Sequence, residues 1–249
     1  MAERIWDKFL TERDKQVFAT SGYGARAGWG KRPALLIIDV NYNFCGDKPE
    51  PILESIKQWR NSCGEDAWEA LPHIRSLIDV CREKGVPVLY STSYGREDGW
   101  DRGGWAWKNN RAQEDIAPPP RESTREGNDI MDEIAPGPKD IVIHKLKPSV
   151  FVGTNLMGFL NDLGADSLVV VGTTTSGCVR ATVLDAFSLN LHVTIVEEGC
   201  FDRSQASHAI NLCDMNAKYA DVIGVEEALD HLRGLNDVDY NLPSGKKLT

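Results

Sequence analysis

Short apolar segments rich in β-branched residues alternate with longer stretches of helical periodicity along most of the chain. The segments predict strands at 34–39, 86–92, 140–146, 166–171, 191–197 and 221–225. The longer stretches predict helices at 66–84, 153–163, 176–190 and 204–219, with Gly85, Gly164 and Asn190 as C-caps. Strands that are apolar on both faces and separated by helices pair in parallel and are covered on both sides. The pattern therefore predicts an α/β protein, a three-layer αβα sandwich whose mostly parallel six-stranded sheet has the order 3-2-1-4-5-6.

The same pattern divides the chain into an extension, one domain and a tail. Residues 1–32 are charged and punctuated by glycine, residues 33–234 carry the alternating elements, and residues 235–249 are expected to form a poorly ordered end. A domain of this length can bury one sizeable core. The extension holds aromatic residues that are suited to contact a neighbouring subunit, namely Trp6, Phe9, Phe18, Tyr23 and Trp29.

Residues 93–139 break the alternation, because glycines and the run Pro118-Pro119-Pro120 interrupt any regular element. A long excursion inside a compact domain usually lines a site or an interface. This one also carries Tyr94, Trp100, Trp105 and Trp107. The interpretations that stay open for it are a lid over a substrate, or else a buried loop anchor or a subunit contact.

Charge and hydropathy narrow the range of functions. With 28 basic and 37 acidic residues the net charge is −9, which disfavours nucleic acid and anionic membrane as partners. No apolar run approaches the roughly 20 residues of a membrane helix. The opening residues 1–8 carry charges where a secretion signal needs an apolar region, so a cytoplasmic location is expected. The six cysteines form no close pair, which argues against a disulfide framework or a zinc knuckle.

An acid and a thiol follow the two strands between which the predicted strand order reverses, where doubly wound sheets bind ligands. Asp39 ends the first strand, and Cys178 lies at the end of the segment 172–178 after the fourth. Cys178 also begins a helix, so its thiol pKa is expected to fall below the usual ~8.5, as a nucleophile requires. Asp39 is the candidate base. Lys145 and Lys147, which alternation places on one face of the third strand, are candidate cations beside the thiolate.

Other assignments of these residues are weaker. The spacing of Gly172 and Gly177 resembles a phosphate loop, but Cys178 follows where that motif needs lysine. A Cys–His pair would require His144 to point away from Lys145, and it remains the second candidate chemistry. Of the remaining cysteines, Cys63 is expected to be exposed, and the others are expected to be small buried residues: Cys45, Cys81, Cys200 and Cys213.

Three blocks in this order, ALLIIDVNYNFCGD, HKLKPSVFVGTNL and VVVGTTTSGCVRATVLDA, resemble the isochorismatase-like cysteine hydrolases over nearly the whole chain. Residues further on, such as Asp202-Arg203 and Lys218-Tyr219-Ala220-Asp221, resemble the N-carbamoylsarcosine amidohydrolase branch of that family. Val150 and Thr173 stand where this branch more often has alanine.

The resemblance implies a catalytic triad of Asp39, Lys145 and Cys178. It also implies a cis peptide between Thr173 and Thr174, which would aim the Thr174 N–H at the substrate oxyanion beside that of Cys178. Lys147 is then an ordinary neighbour. In a sheet of this order Lys145 lies two strands, roughly 10 Å, from the first strand and must be brought inward.

The resemblance also implies the substrate-binding residues. Arg203 matches the residue that holds a substrate carboxylate, His208 is expected to line the pocket or to cap its helix, and Thr175 and Trp107 complete the set. Ser91-Thr92-Ser93-Tyr94-Gly95 lacks the acidic and histidine ligands of the zinc-dependent members, so neither a metal nor another cofactor is expected. A homo-oligomer, with a tetramer favoured, is expected by resemblance.

These expectations describe a hydrolase that cleaves a linear amide or ureido C–N bond of a small carboxylated substrate and releases ammonia. N-carbamoylsarcosine-like compounds are the favoured substrates. Maleamate-like, nicotinamide-like and biuret-like compounds are the alternatives within the enzyme class. A non-catalytic ligand-binding member of the fold is the alternative outside it.

Overall fold

The computed structural model describes residues 4–108, 123–236 and 239–246, and within them six strands form one sheet. All neighbouring strands pair in parallel, and the order β3-β2-β1-β4-β5-β6 confirms the order predicted from the sequence. The strands are β1 Pro33–Ile38, β2 Val88–Ser93, β3 Ile141–Lys145, β4 Ser167–Thr173, β5 His192–Phe201 and β6 Asp221–Ile223.

Helices cover both faces of this sheet and give the predicted three layers. In chain order they are α1 Glu12–Ser21, α2 Tyr42–Cys45, α3 Ile52–Gln58, α4 Glu65–Lys84, α5 Trp105–Lys108, α6 Leu156–Leu163, α7 Arg180–Ser188, α8 Gln205–Lys218 and α9 Val225–Arg233. The apolar faces of α4 and α9 pack on one side of the sheet. Those of α6, α7 and α8 pack on the other side.

The central strand β1 shows why this sheet is buried on both faces. All six of its residues are buried, with Leu35 and Ile37 in the core under α4 and Leu36 and Ile38 in the core under α6. Successive side chains of a strand point to opposite faces, so a strand between two helical layers needs apolar residues at every position. This requirement fixes β1 in the middle of the molecule.

Several element boundaries differ from those predicted. The helix predicted at 176–190 begins as one π-helical turn, Thr175–Val179, and continues as α7. The strand predicted at 221–225 is shorter, because Val225 already starts α9. The helix α9 was not predicted, although its buried residues Val225, Ala228, Leu229 and Leu232 follow a helical spacing.

The N-terminal extension packs in part on its own domain. Trp6 is buried in the core under α6, and the Trp29 ring stacks on His231 with centroids 3.7 Å apart. Phe9 and Tyr23 are exposed. Trp6 and Trp29 thus contact residues of their own chain, and the expectation that the aromatic residues of the extension contact another subunit stays a prediction.

The tail is partly ordered, contrary to expectation. Tyr240 is buried, its hydroxyl donates to the carbonyl oxygen of Pro33 at 2.8 Å, and the Arg32 guanidinium lies 4.6 Å from the centre of its ring. Tyr240 thus holds the tail against the first residue of β1.

The excursion after β2 is exposed where it leaves the sheet. Trp100 has an exposed fraction of 83% and Tyr94 of 68%, so a buried anchor is wrong for these two residues. The excursion returns to the sheet where Ile130 forms an antiparallel bridge with Asn41. The Trp107 side chain and residues 109–122 lie outside the described residues, and both the lid and the subunit contact stay predictions.

A search of the helices in the three described ranges finds none with the length and apolar character to cross a membrane.

Candidate active site

Three side chains meet at the carboxyl ends of β1, β3 and β4. Asp39 follows β1 directly, Lys145 is the last residue of β3, and Cys178 lies in the π-helical turn after β4. The Lys145 Nζ is 2.7 Å from Asp39 Oδ2 and 3.4 Å from Cys178 Sγ. It also donates to the carbonyl oxygen of Lys147 at 3.1 Å. An ammonium has three N–H donors, and here three acceptors receive them.

The length of the lysine side chain solves the distance problem raised by the strand order. Lys145 pairs with Ser93 in regular register, so the side chain itself, not a loop, crosses the end of β2 to reach Asp39. The Lys145 side chain is 3% exposed and that of Asp39 is 1% exposed. β3 ends at Lys145, and Lys147 contributes to the site through its backbone carbonyl.

His144 does not join this group. It is exposed on the opposite face of β3 and lies edge-on to Tyr94, with ring centroids 6.0 Å apart. The structure therefore favours lysine and aspartate over histidine as the partners of Cys178.

The backbone at Asp39 and Gly172 is held in unusual conformations that bring β1 and β4 together. Asp39 has a φ of 55°, a left-handed conformation that costs a residue with a Cβ roughly 1–2 kcal/mol. Gly172 has a φ of 112°, and a Cβ there would lie 2.2 Å from the carbonyl oxygen of Ile38. Only glycine allows this approach at the strand end next to Asp39.

Burial and the Asp39 carboxylate, opposed by Lys145, together raise the pKa of the Cys178 thiol to about 12. The expected lowering of this pKa is therefore wrong. A helix N-terminus favours an anion by a modest amount, whereas desolvation and an adjacent carboxylate act strongly in the opposite direction. Burial lowers the pKa of Lys145, but Asp39 and Cys178 together outweigh burial and leave it raised. The neutral Cys178 thiol therefore lies beside the Lys145 ammonium.

The turn that carries Cys178 is fixed by its own backbone and by Asp202. The Thr173–Thr174 peptide bond is cis, at the position that the resemblance indicates. The N–H groups of Gly177 and Val179 donate to the carbonyl oxygen of Thr174 at 2.8 and 3.2 Å. The backbone N–H and the hydroxyl of Ser176 both donate to Asp202 Oδ2, at 2.8 and 2.6 Å.

Thr175 and His208 form a second contact with this turn. Thr175 is fully buried, and its Oγ1 lies 2.7 Å from His208 Nδ1 and 3.2 Å from the carbonyl oxygen of Phe201. Ser204, not His208, caps α8, which excludes the capping role for the histidine. Burial lowers the pKa of His208, against the effect of Asp202, so its imidazole is neutral near pH 7.

Arg203 lies at the same edge of the sheet, but its guanidinium does not contact the triad. Nη1 donates to the carbonyl oxygen of Asn61 at 2.9 Å, and the backbone N–H donates to Asp202 Oδ1 at 2.8 Å. The side chain is exposed. Its role toward a substrate carboxylate stays a prediction.

Cys63 is buried, with an exposed fraction of 1%, and the expectation that it is exposed is wrong. Its Sγ lies 3.6 Å from Thr173 Oγ1, because the loop before α4 packs against the end of β4. Burial raises the pKa of this thiol to about 12. The remaining cysteines are buried as predicted: Cys45, Cys81, Cys200 and Cys213.

Sequence reasoning missed two groups that hold the site. Ser91 Oγ donates to Asp39 Oδ1 at 2.9 Å, and the buried Asp202 carboxylate binds the nucleophile turn. Ser91 stands at the carboxyl end of β2, the strand between Asp39 and Lys145, and that position was the available signal. Among the described residues, no three or more His, Cys, Asp or Glu side chains are grouped to hold a metal ion.

Comparison with known proteins gives consistent relatives. Residues 33–227 match the model of the isochorismatase domain. The chain is 31% identical over 238 residues to N-carbamoylsarcosine amidase of Arthrobacter sp, which covers 93% of this chain and 83% of that protein. It is 28% identical to maleamate amidohydrolase of Pseudomonas putida, which covers 86% of this chain and 92% of that one.

Solved structures share the fold. A cysteine hydrolase from Pseudomonas syringae pv. phaseolicola has a TM-score of 0.70 at 18% identity, with 82% of this chain and 94% of that chain covered. N-carbamoylsarcosine amidase from Thermoplasma acidophilum has a TM-score of 0.58 at 24% identity, with 78% and 97% covered. The domain match over most of the chain, together with the similarity to the Arthrobacter protein, shows that this chain belongs to the isochorismatase family.

Proposed function

We propose that this protein is a cysteine-dependent amidohydrolase that cleaves the terminal C–N bond of a small carboxylated amide or ureide and releases ammonia. The observation that carries the proposal is the contact of Lys145 Nζ with both Asp39 Oδ2 and Cys178 Sγ. A nucleophile that has a base and a cation within contact distance is the arrangement that covalent acyl transfer needs. The amidases among the similar proteins support the same reaction class.

In the first half-reaction Asp39 takes the thiol proton of Cys178, and the sulfur attacks the carbonyl carbon of the substrate. The carbonyl electron pair moves to oxygen, where the backbone N–H groups of Thr174 and Cys178 are the proposed donors. Removal of one such donor typically costs about 10²–10³ in rate. When the tetrahedral intermediate collapses, the C–N bond breaks, the nitrogen takes the proton from Asp39, and ammonia leaves.

In the second half-reaction Asp39 takes a proton from water, and the resulting hydroxide attacks the thioester or thiocarbamate carbon. The C–S bond breaks, and the sulfur recovers a proton from Asp39. The net reaction adds one water and releases one ammonia. A carbamoyl substrate then yields a carbamate, which decomposes to carbon dioxide and the free amine.

Lys145 keeps its proton throughout this scheme. Its pKa is raised, and its three N–H groups already have acceptors, so it stabilises negative charge on Asp39 or Cys178 in turn. Because the negative charge only moves between these two neighbours, the total charge of the buried site does not change during proton transfer.

N-carbamoylsarcosine-like compounds are the favoured substrates, and maleamate-like compounds are the second candidate. The first rests on the identity to the Arthrobacter protein and the second on the match that covers 92% of the Pseudomonas putida protein. Both carry a carboxylate, which Arg203 is proposed to bind after leaving the carbonyl oxygen of Asn61.

The test is ammonia release by purified wild type, Cys178→Ala and Cys63→Ala with N-carbamoylsarcosine, other N-carbamoyl amino acids, maleamate, nicotinamide and biuret. We expect release from carboxylated compounds by wild type and Cys63→Ala, and none by Cys178→Ala. Cys63 is the matched control because it is a buried thiol beside Thr173. Silence of the wild type on every compound would contradict the substrate class and favour a non-catalytic ligand-binding protein, whereas full activity of Cys178→Ala would contradict the nucleophile.

A further inference from the structure

Ser91 is the residue that the structure places on the far side of the Asp39 carboxylate from Lys145. Its Oγ donates to Asp39 Oδ1 at 2.9 Å, while Lys145 Nζ lies 2.7 Å from Asp39 Oδ2. Its backbone carbonyl also accepts the Asp39 N–H at 3.0 Å. Ser91 thus holds both the side chain and the backbone of a residue in a left-handed conformation.

The two oxygens of Asp39 are therefore held by donors of different kinds. Lys145 brings a full charge, whereas Ser91 brings a neutral hydroxyl that can rotate. Among the described residues, Lys145 from β3 and Cys178 from the turn after β4 are the titratable side chains in contact with this carboxylate. A hydrogen bond to a carboxylate stabilises its ionised form, so the hydroxyl of Ser91 favours a proton on Cys178 over a proton on Asp39.

We propose that Ser91 is a positioning residue that sets how the single transferable proton divides between Cys178 and Asp39. This inference rests on the proposed function, because it assigns Ser91 a part in the same proton transfer. With the hydroxyl present the proton stays on sulfur in the resting enzyme, and the carboxylate is oriented to receive it. Without the hydroxyl the proton shifts toward Asp39, and Cys178 is a thiolate more often.

Alkylation of Cys178 and release of ammonia then respond in opposite directions to Ser91→Ala. A larger thiolate fraction speeds alkylation of Cys178. A proton held more tightly on Asp39 slows its delivery to the departing nitrogen. The loss of one hydrogen bond to a charged group is expected to change each rate by about tenfold, since tenfold corresponds to about 1.4 kcal/mol. A purely structural role would slow both processes or neither.

Thr92 provides the matched control. It is the next residue of β2 and is also buried, and its hydroxyl donates to the carbonyl oxygen of Asn128 at 2.6 Å and accepts from Asn41 Nδ2 at 3.1 Å. Thr92→Val removes a buried hydroxyl from the same strand end without touching the Asp39 carboxylate. Ser91→Thr keeps the donor and is the conservative variant that should restore both rates.

The experiment measures iodoacetamide alkylation of Cys178 at pH 7, followed by peptide mass mapping, together with ammonia release by the same full-length variants. For Ser91→Ala we expect alkylation about tenfold faster and ammonia release about tenfold slower than in wild type. For Ser91→Thr and Thr92→Val we expect both rates within about twofold of wild type. Alkylation of Ser91→Ala that is unchanged or slower would overturn the proposal. If Ser91→Ala is alkylated faster than wild type but the wild type releases no ammonia, the result would support the role of Ser91 and overturn the proposed reaction instead.

Discussion

The ion pair between Lys145 and Asp39 makes a prediction about stability that is independent of any substrate. The change is Lys145→Met, which keeps most of the side-chain volume and removes the ammonium. Asp39 would then keep neutral side-chain donors, the Ser91 hydroxyl and the Cys178 thiol, and its buried Oδ2 would lose its cation. The unpaired carboxylate, rather than lost packing, sets the size of the effect.

The magnitude follows from the burial of the pair. Both side chains are at most 3% exposed and their charged atoms are 2.7 Å apart. Removal of one partner of a buried ion pair typically costs about 3–5 kcal/mol, whereas replacement of both partners is often close to neutral. For a chain of this length each kcal/mol corresponds to about 2–4 °C in Tm, so Lys145→Met is expected to lower Tm by roughly 6–20 °C.

The assay is urea denaturation at pH 7 for wild type, Lys145→Met, Asp39→Asn and the double variant. We expect the double variant to be more stable than the sum of the single effects predicts by about 2 kcal/mol or more. A Lys145→Met protein within about 0.5 kcal/mol of wild type, or additive single effects, would refute the reasoning.

Three further predictions concern other parts of the account. Gly172→Ala is expected to lower the free energy of unfolding by more than about 2 kcal/mol in urea denaturation, because its Cβ would lie 2.2 Å from a backbone oxygen. Gly158→Ala is the control and should be neutral or stabilising, because its Cβ would meet nothing within 4 Å inside α6. Equal effects of the two variants would contradict the close approach of β1 and β4. Tyr240→Phe removes the hydrogen bond to the carbonyl oxygen of Pro33 and should lower the free energy of unfolding by about 1 kcal/mol. An unchanged stability of this variant would contradict the prediction. Because the pKa of Lys145 is raised in the folded protein, its charge stabilises the fold fully at pH below the ordinary value of 10.5, and this contribution is lost as pH rises through the raised pKa. The difference in stability between wild type and Lys145→Met should therefore shrink only in that alkaline range.

The fold could be predicted because hydropathy alone determines most of it. β1 is apolar at every position and β4 carries the apolar run 168–171, a pattern that a parallel sheet between two helical layers requires. The helix α9 was not predicted because the strand predicted at 221–225 took in its first residue, Val225, although the apolar residues of α9 follow a helical spacing. The place of Tyr240 depends on contacts with Arg32 and Pro33, which are distant in sequence, and no local pattern encodes such contacts.

The triad could be predicted from strand ends and resemblance, but its electrostatics could not. The position of Cys178 before a helix suggests a lowered pKa, yet burial and Asp39 raise it to about 12. The balance depends on desolvation and on distances between residues far apart in sequence. For the same reason only the place of Ser91 near the end of β2 pointed to a contact with Asp39, and no local pattern indicated that Cys63 is buried against Thr173.

The most direct test of the central claim is mass spectrometry of enzyme quenched with acid during turnover of N-carbamoylsarcosine or maleamate. The account predicts that the peptide containing Cys178 gains the mass of the substrate less one ammonia, and that Lys145→Met lowers the rate at which this adduct appears. An adduct on any other residue, or ammonia release at the wild-type rate by Cys178→Ala, would contradict it.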